Sequence, residues 1–553
     1  MSWIHAHLLT TIIFLPLFAM VMILFVPATR VREIRFLSLL TSLVTFALSM
    51  VAWNRVTGSG AFELTELVSW IPSLGISYRL GVDGVGMILI LLSAFLLPLI
   101  ILSAWNEIEK SCKLFYMLLL LLSTGMMGVF AALDLFLFYI FWELVLIPMY
   151  FLVGVWGSGN RIRVAFKFLL YTMTGSVLML AAILYAAWYC GGTFDLIAWY
   201  EKGFPVTAQL WLFGAFALAF AIKVPLFPFH TWLPDTHTEA PTAGSVILAG
   251  VLLKMGTYGF YRFAIPLFPL AVVKFAPLML TLSVIGIIYG ALVAMIQPDI
   301  KRLVAYSSVS HLGFVMLGLF ALEPHAVSGA VLQMVNHGLS TGALFFLIGM
   351  LYHRRHTRLI ADYGGIAKVV PLFAAVFLFI SFASVGMPGL NNFVGEFLIL
   401  LGAFQTKTWY ASFAVIGVIL AAGYMLWAIQ RVFFGSLTNE ENKRLTDLTA
   451  REYLILVPLM VIILLIGVWP KPWLEKIDRS TEAFLKLSKR VEISNAQRDL
   501  FQNVSLLRVL PPAVFRHSHL SREPLPEAPP ASPESWSFER GLFEKGLVEV
   551  TQP

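Results

Sequence analysis

Residues 210–254 read LWLFGAFALAFAIKVPLFPFHTWLPDTHTEAPTAGSVILAGVLLK. Two apolar runs flank a polar turn, and each carries one lysine away from its polar ends, Lys223 and Lys254. Crossing a bilayer takes roughly 20 mostly apolar residues, and both runs, followed outward, reach that length. A lysine at the middle of a span is costly in hydrocarbon and marks function, unless a fixed ion pair holds it or it snorkels to the interface. Snorkelling serves residues close to a helix end and suits neither lysine. Pro225 and Pro228 lack an N–H, so the carbonyls of Ala221 and Val224, on either side of Lys223, lose their helical donors. Irregular backbone at membrane depth is tolerated only inside protein or beside water. The stretch predicts a broken span with a buried cation at the break.

The rest of the chain is of the same kind. Of its 553 residues, 59% are hydrophobic and 12% charged, and the mean hydropathy is +0.84. A soluble domain carries about 25% charged residues, so most of this surface faces lipid. The length criterion yields about 14 spans, near 8–27, 36–53, 85–105, 114–132, 134–156, 165–188, 208–233, 241–262, 276–297, 302–321, 326–351, 370–405, 410–433 and 452–470. The fold class is an all-α polytopic membrane protein. The first run lacks a basic leader and a small-residue cleavage site, and reads as a retained span. The region 370–405 is too long for one straight span and is broken at Gly386-Met387-Pro388-Gly389, where the Ser384 carbonyl loses its donor.

Loop charge predicts orientation. The odd-numbered loops hold Arg30, Arg32, Arg35, Lys110, Lys113, Arg161, Arg163, Lys301, Arg354, Arg355, Arg358, Lys443 and Arg444; the even ones hold only Arg55, Arg79, Lys202, Lys274 and Lys407. The positive-inside rule places the odd loops in the cytoplasm and both termini on the outer side. The basic residues thus sit in short topological clusters, which argues against nucleic acid despite a pI of 9.2. Residues 471–553 are polar and proline-rich. Within them 474–490 reads as an amphipathic helix lying on the membrane or on a neighbour, and beyond about residue 510 little regular structure is expected.

Two further intramembrane charges accompany the lysines. Glu143 is central in DLFLFYIFWELVLIPMYFLVGVWG, and Glu396 follows the second break in SFASVGMPGLNNFVGEFLIL. His311 and His337 lie within spans and titrate near neutral pH when unperturbed, so either relays protons or simply packs. His230 and His237, in FHTWLPDTHTEAP, read as proton feeders from the cytoplasmic side or as cap and turn residues; their spacing makes no metal site. Two cysteines, Cys112 and Cys190, cannot hold an iron–sulfur cluster, which takes about four ligands. Gly81-Val82-Asp83-Gly84-Val85-Gly86 has the wrong spacing for a dinucleotide fingerprint. Paired broken spans suggest an inverted repeat handling ions at its centre.

These residues resemble the antiporter-like membrane subunits of respiratory complex I and of multisubunit Na⁺/H⁺ antiporters. The resemblance rests on FYIFWELVLIPMYFL, AFAIKVPLFPFHTWLPDTHTEAPTAGSVILAGVLLKMGTYG, QPDIKRLVAYSSVSHLGFV and MPGLNNFVGEF, and covers residues 1–470. A glutamate at position 396 is similar to the M-type subunit of bacterial NADH-quinone oxidoreductase, where L- and N-type subunits usually carry lysine. The resemblance implies two inverted five-helix repeats, roughly 114–262 and 276–433, followed by a separate extension, 471–553. It implies a coupled pair of Glu143 and Lys223, a central relay at Lys254 and a terminal site at Glu396, with His311 and His337 on the proton path. It implies no cofactor in this chain, with NADH, FMN, Fe–S clusters and quinone in partner subunits. The implied partners are the L- and N-type membrane-arm subunits and the lipid bilayer, in a bacterial inner membrane. A Na⁺/H⁺ antiporter or membrane-bound hydrogenase subunit, and a scaffold with idle charges, are the competing readings.

Overall fold

The computed structural model describes residues 6–489. Among them, 12 helices are long and apolar enough to cross a membrane, and two shorter apolar helices, Leu8–Leu24 and Pro371–Val385, complete the expected set. Several spans start where a carboxylate caps them. Asp134 accepts from the backbone N–H of Phe136 and Leu137, and Asp299 from Lys301 and Arg302. Such caps satisfy donors that a helix start leaves unpaired, a strong requirement at a membrane surface.

The centre is formed by the helix Thr242–Leu267, buried on all sides, with Ile300–Ala321 and Pro324–Arg355 almost as deeply buried. Apolar character all round a helix marks it as interior. By contrast, Val31–Arg55, Pro269–Met295 and Ala450–Val468 expose much of their surface. The long helix Pro324–Arg355 packs on Ile300–Ala321, on Asn391–Thr406 and on the central helix, which places it between the central helix and the second break.

Both predicted breaks occur, and the chain closes each in its own way. Val206–Lys223 ends at the lysine itself, and the chain resumes as Trp232–Glu239. The Ala221 carbonyl freed by Pro225 accepts from Leu226 N at 2.8 Å, and the neighbouring Ile222 carbonyl takes the Trp232 indole N–H at 2.8 Å. The region 370–405 divides into Pro371–Val385 and Asn391–Thr406. Gly386, at φ 82°, turns the chain in the left-handed conformation that glycine adopts without strain. The Ser384 carbonyl freed by Pro388 is taken by the Asn392 side-chain amide at 3.2 Å.

Four features differ from the sequence reading. First, the fold is not purely helical: Glu63–Ile71 and Ile76–Val82 form an antiparallel hairpin between the second and third spans. Its turn uses Pro72 and a left-handed Gly75, a signal visible in the sequence but overshadowed by the span search. Second, the span at 134–156 is also interrupted, into Leu135–Leu144 and Leu146–Trp156; Pro148 deprives the Leu144 carbonyl of its donor, next to Glu143. Third, the central helix widens into π turns at Leu248–Leu252 and Phe260–Ala264, on either side of Lys254.

Fourth, the amphipathic helix expected at 474–490 runs Lys471–Ser488, and its apolar face covers this chain's own spans instead of the bilayer or a neighbour. Ile477, Ser480, Thr481, Phe484 and Leu485 are buried at helical spacing. Phe484 stacks on Tyr261 at 4.5 Å, and the Tyr261 hydroxyl donates to the Ser480 carbonyl at 3.1 Å. The compact unit therefore includes this helix and does not stop at 470. The expectation for residues beyond about 510 lies outside the described residues.

Candidate proton-conducting site

The charged and histidine residues singled out in the sequence fall into two groups. The first surrounds Lys223. Its side chain is buried, and its ammonium has no hydrogen-bond partner; it lies 5.3 Å from the ring centroid of Trp142 and 5.7 Å from that of Phe168. Aromatic faces stabilise a desolvated cation electrostatically. Glu143, the residue after Trp142, is only half-buried, with one carboxylate oxygen unpartnered. No ion pair joins Lys223 to Glu143 among the described residues; the carboxylate acts on the ammonium electrostatically at longer range. Tyr139, one turn before Glu143, stands beside that carboxylate, and Ser176 of the adjacent helix stands beside Tyr139.

The second group consists of two hydrogen-bonded pairs, Lys254–His337 and His311–Glu396, with the two imidazole rings near each other. Lys254 Nζ, fully buried, donates to the Ala249 carbonyl in the first π turn and lies 2.7 Å from His337 Nδ1. The rings of His337 and His311 are 5.9 Å apart between centroids. His311 Nδ1 lies 2.7 Å from Glu396 Oε1, and His311 Nε2 is 3.4 Å from the Tyr424 hydroxyl. Gln333 Nε2 donates to the same Glu396 oxygen at 2.9 Å. Each imidazole nitrogen is a donor or an acceptor according to its tautomer, so a proton can be shared within each of the two pairs.

Local sequence explains why these side chains converge. In Pro324–Arg355 the polar residues Gln333, Asn336, His337, Ser340 and Thr341 recur at three and four residues and share one buried face. That face meets the second break. Gly395 allows the approach, because a Cβ there would lie 2.5 Å from Gln333 Oε1. Asn336 and Asn391 exchange side-chain bonds with each other's backbone carbonyls, at 2.7 and 3.2 Å. Buried polar atoms without a protein partner gather here as well, including His337 Nε2, Gln333 Oε1 and Asn391 Oδ1. Such atoms are costly in a dry interior.

Thus the structure brings Lys254, His337, His311 and Glu396 together and keeps Glu143 and Lys223 in a separate group. Sequence reasoning missed Gln333, Asn336, Asn392 and Tyr424. The first three were within reach of a search for polar residues at helical spacing inside an apolar run; Tyr424 was not. His230 and His237 are buried in neither caps nor metal sites. His237 stacks on Phe345 at 4.6 Å and His230 meets Tyr289 at 5.1 Å, with all four ring nitrogens unpartnered. No group of three or more metal-binding side chains occurs among the described residues.

Comparison with known proteins places this arrangement. The family described as "NADH:quinone oxidoreductase/Mrp antiporter, TM" matches residues 132–421, which contain all six candidate residues. NADH-quinone oxidoreductase subunit M of Rhodobacter capsulatus is 45% identical over 483 residues, covering 84% of this chain and 93% of that one. NADH-ubiquinone oxidoreductase chain 4 of Marchantia polymorpha is 43% identical over 483 residues, covering 87% and 97%. Among solved structures, a chain of respiratory complex I from Thermus thermophilus with bound NADH superposes with a TM-score of 0.79 at 35% identity, covering 87% of this chain and 99% of that one. A chain of the Mrp complex from Dietzia sp. shares the fold at a TM-score of 0.76 and 19% identity, covering 87% and 99%. On this evidence the chain is a membrane protein that belongs to the antiporter-like family of NADH-quinone oxidoreductase membrane subunits, in the branch of subunit M and chain 4.

Proposed function

We propose that this chain is a proton-translocating membrane subunit of an NADH-quinone oxidoreductase, and that it carries no redox step itself. The observation that carries the reading is the buried row Lys254–His337–His311–Glu396, with donor–acceptor distances of 2.7 Å at both ends. Lys254 holds the proton at the centre. His337 and His311 pass it across the gap between their rings, and Glu396 receives it beside the second break. Gln333 and Tyr424 orient the acceptors. Glu143 and Lys223 form the control element. Two unit charges about 4 Å apart interact by roughly 4 kcal/mol at an effective dielectric near 20. Motion that brings the Glu143 carboxylate toward Lys223, or withdraws it, therefore changes whether the ammonium keeps its proton. Water in the polar interior bridges from Lys223 to Lys254.

The wider assembly follows from the relatives. The L- and N-type subunits would flank this chain in the membrane arm, and NADH, FMN, iron–sulfur clusters and quinone would act in other subunits. The repeats would run roughly 114–262 and 276–433. In a bacterial inner membrane, the loop charge would favour both termini on the outer side. The identity to subunit M and chain 4 favours this reading over a Na⁺/H⁺ antiporter subunit of the same fold. The test is Glu143→Ala and Lys223→Ala in the assembled complex, with NADH–quinone turnover and proton uptake measured in membrane vesicles beside an assembly blot. Both variants should assemble and lose most coupled turnover. Near-normal coupled activity in both would leave the charges idle and favour a scaffold.

A further inference from the structure

On the outer surface of the membrane domain, away from the proton row, a groove opens between helices Val31–Arg55 and Ala450–Val468. Phe46 and Trp53 line one side and Ile466 the other; Val335 and Leu339 line its buried side, and Trp473 stands at one end. Its lining is almost wholly apolar, and its volume is about 270 Å³. Phe46 and Trp53 are two turns apart, roughly 10 Å along the axis. The slot is apolar along that length, as a hydrocarbon chain requires.

One end of the groove carries charge. Lys476 of the amphipathic helix lies over the Trp53 ring at 4.3 Å and donates to the Trp53 carbonyl. No carboxylate ion-pairs with it among the described residues, and burial holds its ammonium below the usual lysine range, with Glu63 opposing that shift at longer range. Two of its N–H donors remain for an anion. Tryptophans at such a position mark the membrane–water interface, so the groove has an apolar slot, an interfacial aromatic pair and a cation in that order.

We propose that this groove is a phospholipid site, in which one acyl chain lies along Leu339 between Phe46 and Ile466 and an anionic headgroup phosphate meets Lys476. The site has a bearing on the proton row. Val335 and Leu339 face the groove from the same turns that carry His337, which points roughly 200° away from Val335 around the helix. The lipid packs the back of the helix whose front holds the relay.

The test is native mass spectrometry and lipid extraction on the purified complex, washed in detergent and offered mixed phosphatidylglycerol–phosphatidylethanolamine vesicles. Wild type should retain at least one more tightly bound phospholipid per complex than Leu339→Trp or Met50→Trp, which fill the slot. Lys476→Gln should keep the lipid but lose about fivefold of its preference for phosphatidylglycerol. If Leu339→Trp fails to assemble, Met50→Trp, at a rim position, decides. Unchanged lipid retention in an assembled filled-groove variant overturns the site. So does a photo-crosslinker at Met50 that captures a neighbouring subunit in native membranes, and an unchanged preference in Lys476→Gln overturns the headgroup contact.

Discussion

Glu396→Gln isolates titration from packing at the end of the proton row. The glutamine keeps the side chain's length and an acceptor oxygen for Gln333 Nε2, now 2.9 Å from Glu396 Oε1. It removes the negative charge that faces His311 Nδ1 at 2.7 Å. When a proton resides on His311, carboxylate and imidazolium form an ion pair, worth roughly 4 kcal/mol at 4 Å between charge centres and an effective dielectric near 20. Losing that interaction weakens the acceptor end of the row. Because other steps share control of the rate, coupled turnover should fall by at least roughly tenfold. Glu396→Asp retracts the carboxylate by about one methylene; at about 5.5 Å the Coulomb term is still roughly 3 kcal/mol, so part of the activity survives. The assay is NADH-driven proton uptake by reconstituted complex carrying each variant, normalised to assembled complex. Wild-type pumping by the glutamine variant would make Glu396 structural and route the proton out by another group, such as His337.

His337→Ala should break the row at its middle, leaving the Lys254 amine without its nitrogen partner; coupled turnover should fall at least as far as in Glu396→Gln, and normal pumping would show that the row is bypassed. Asn392→Ala should destabilise the second break by about 1–3 kcal/mol, because the buried Ser384 carbonyl loses its donor; thermal unfolding of the purified complex reads this, and an unchanged midpoint refutes it. Ser73→Cys, exposed in the hairpin, and a cysteine near Ser532 should both react with an impermeant thiol reagent from the outer face, in a background lacking Cys190; labelling only in inverted vesicles would reverse the topology.

The sequence by itself determined the bilayer as solvent, the number and approximate limits of the spans, and the two proline-broken ones. It did so because apolar run length and missing N–H groups are local properties. It also picked out Glu143, Lys223, Lys254 and Glu396, since the cost of a charge in hydrocarbon can be read without knowing the fold. Which charges act together was decided only by the tertiary structure. Lys254 and His337, separated by 83 residues, and His311 and Glu396, separated by 85, meet because one long helix presents a polar face to both the central helix and the second break. Glu143 and Lys223 form no ion pair, and the Trp142 and Phe168 rings flank the ammonium. The π turns around Lys254, the hairpin at 63–82 and the docking of Lys471–Ser488 on its own chain likewise depend on what packs across from each segment. A linear search for spans carries no information about those neighbours.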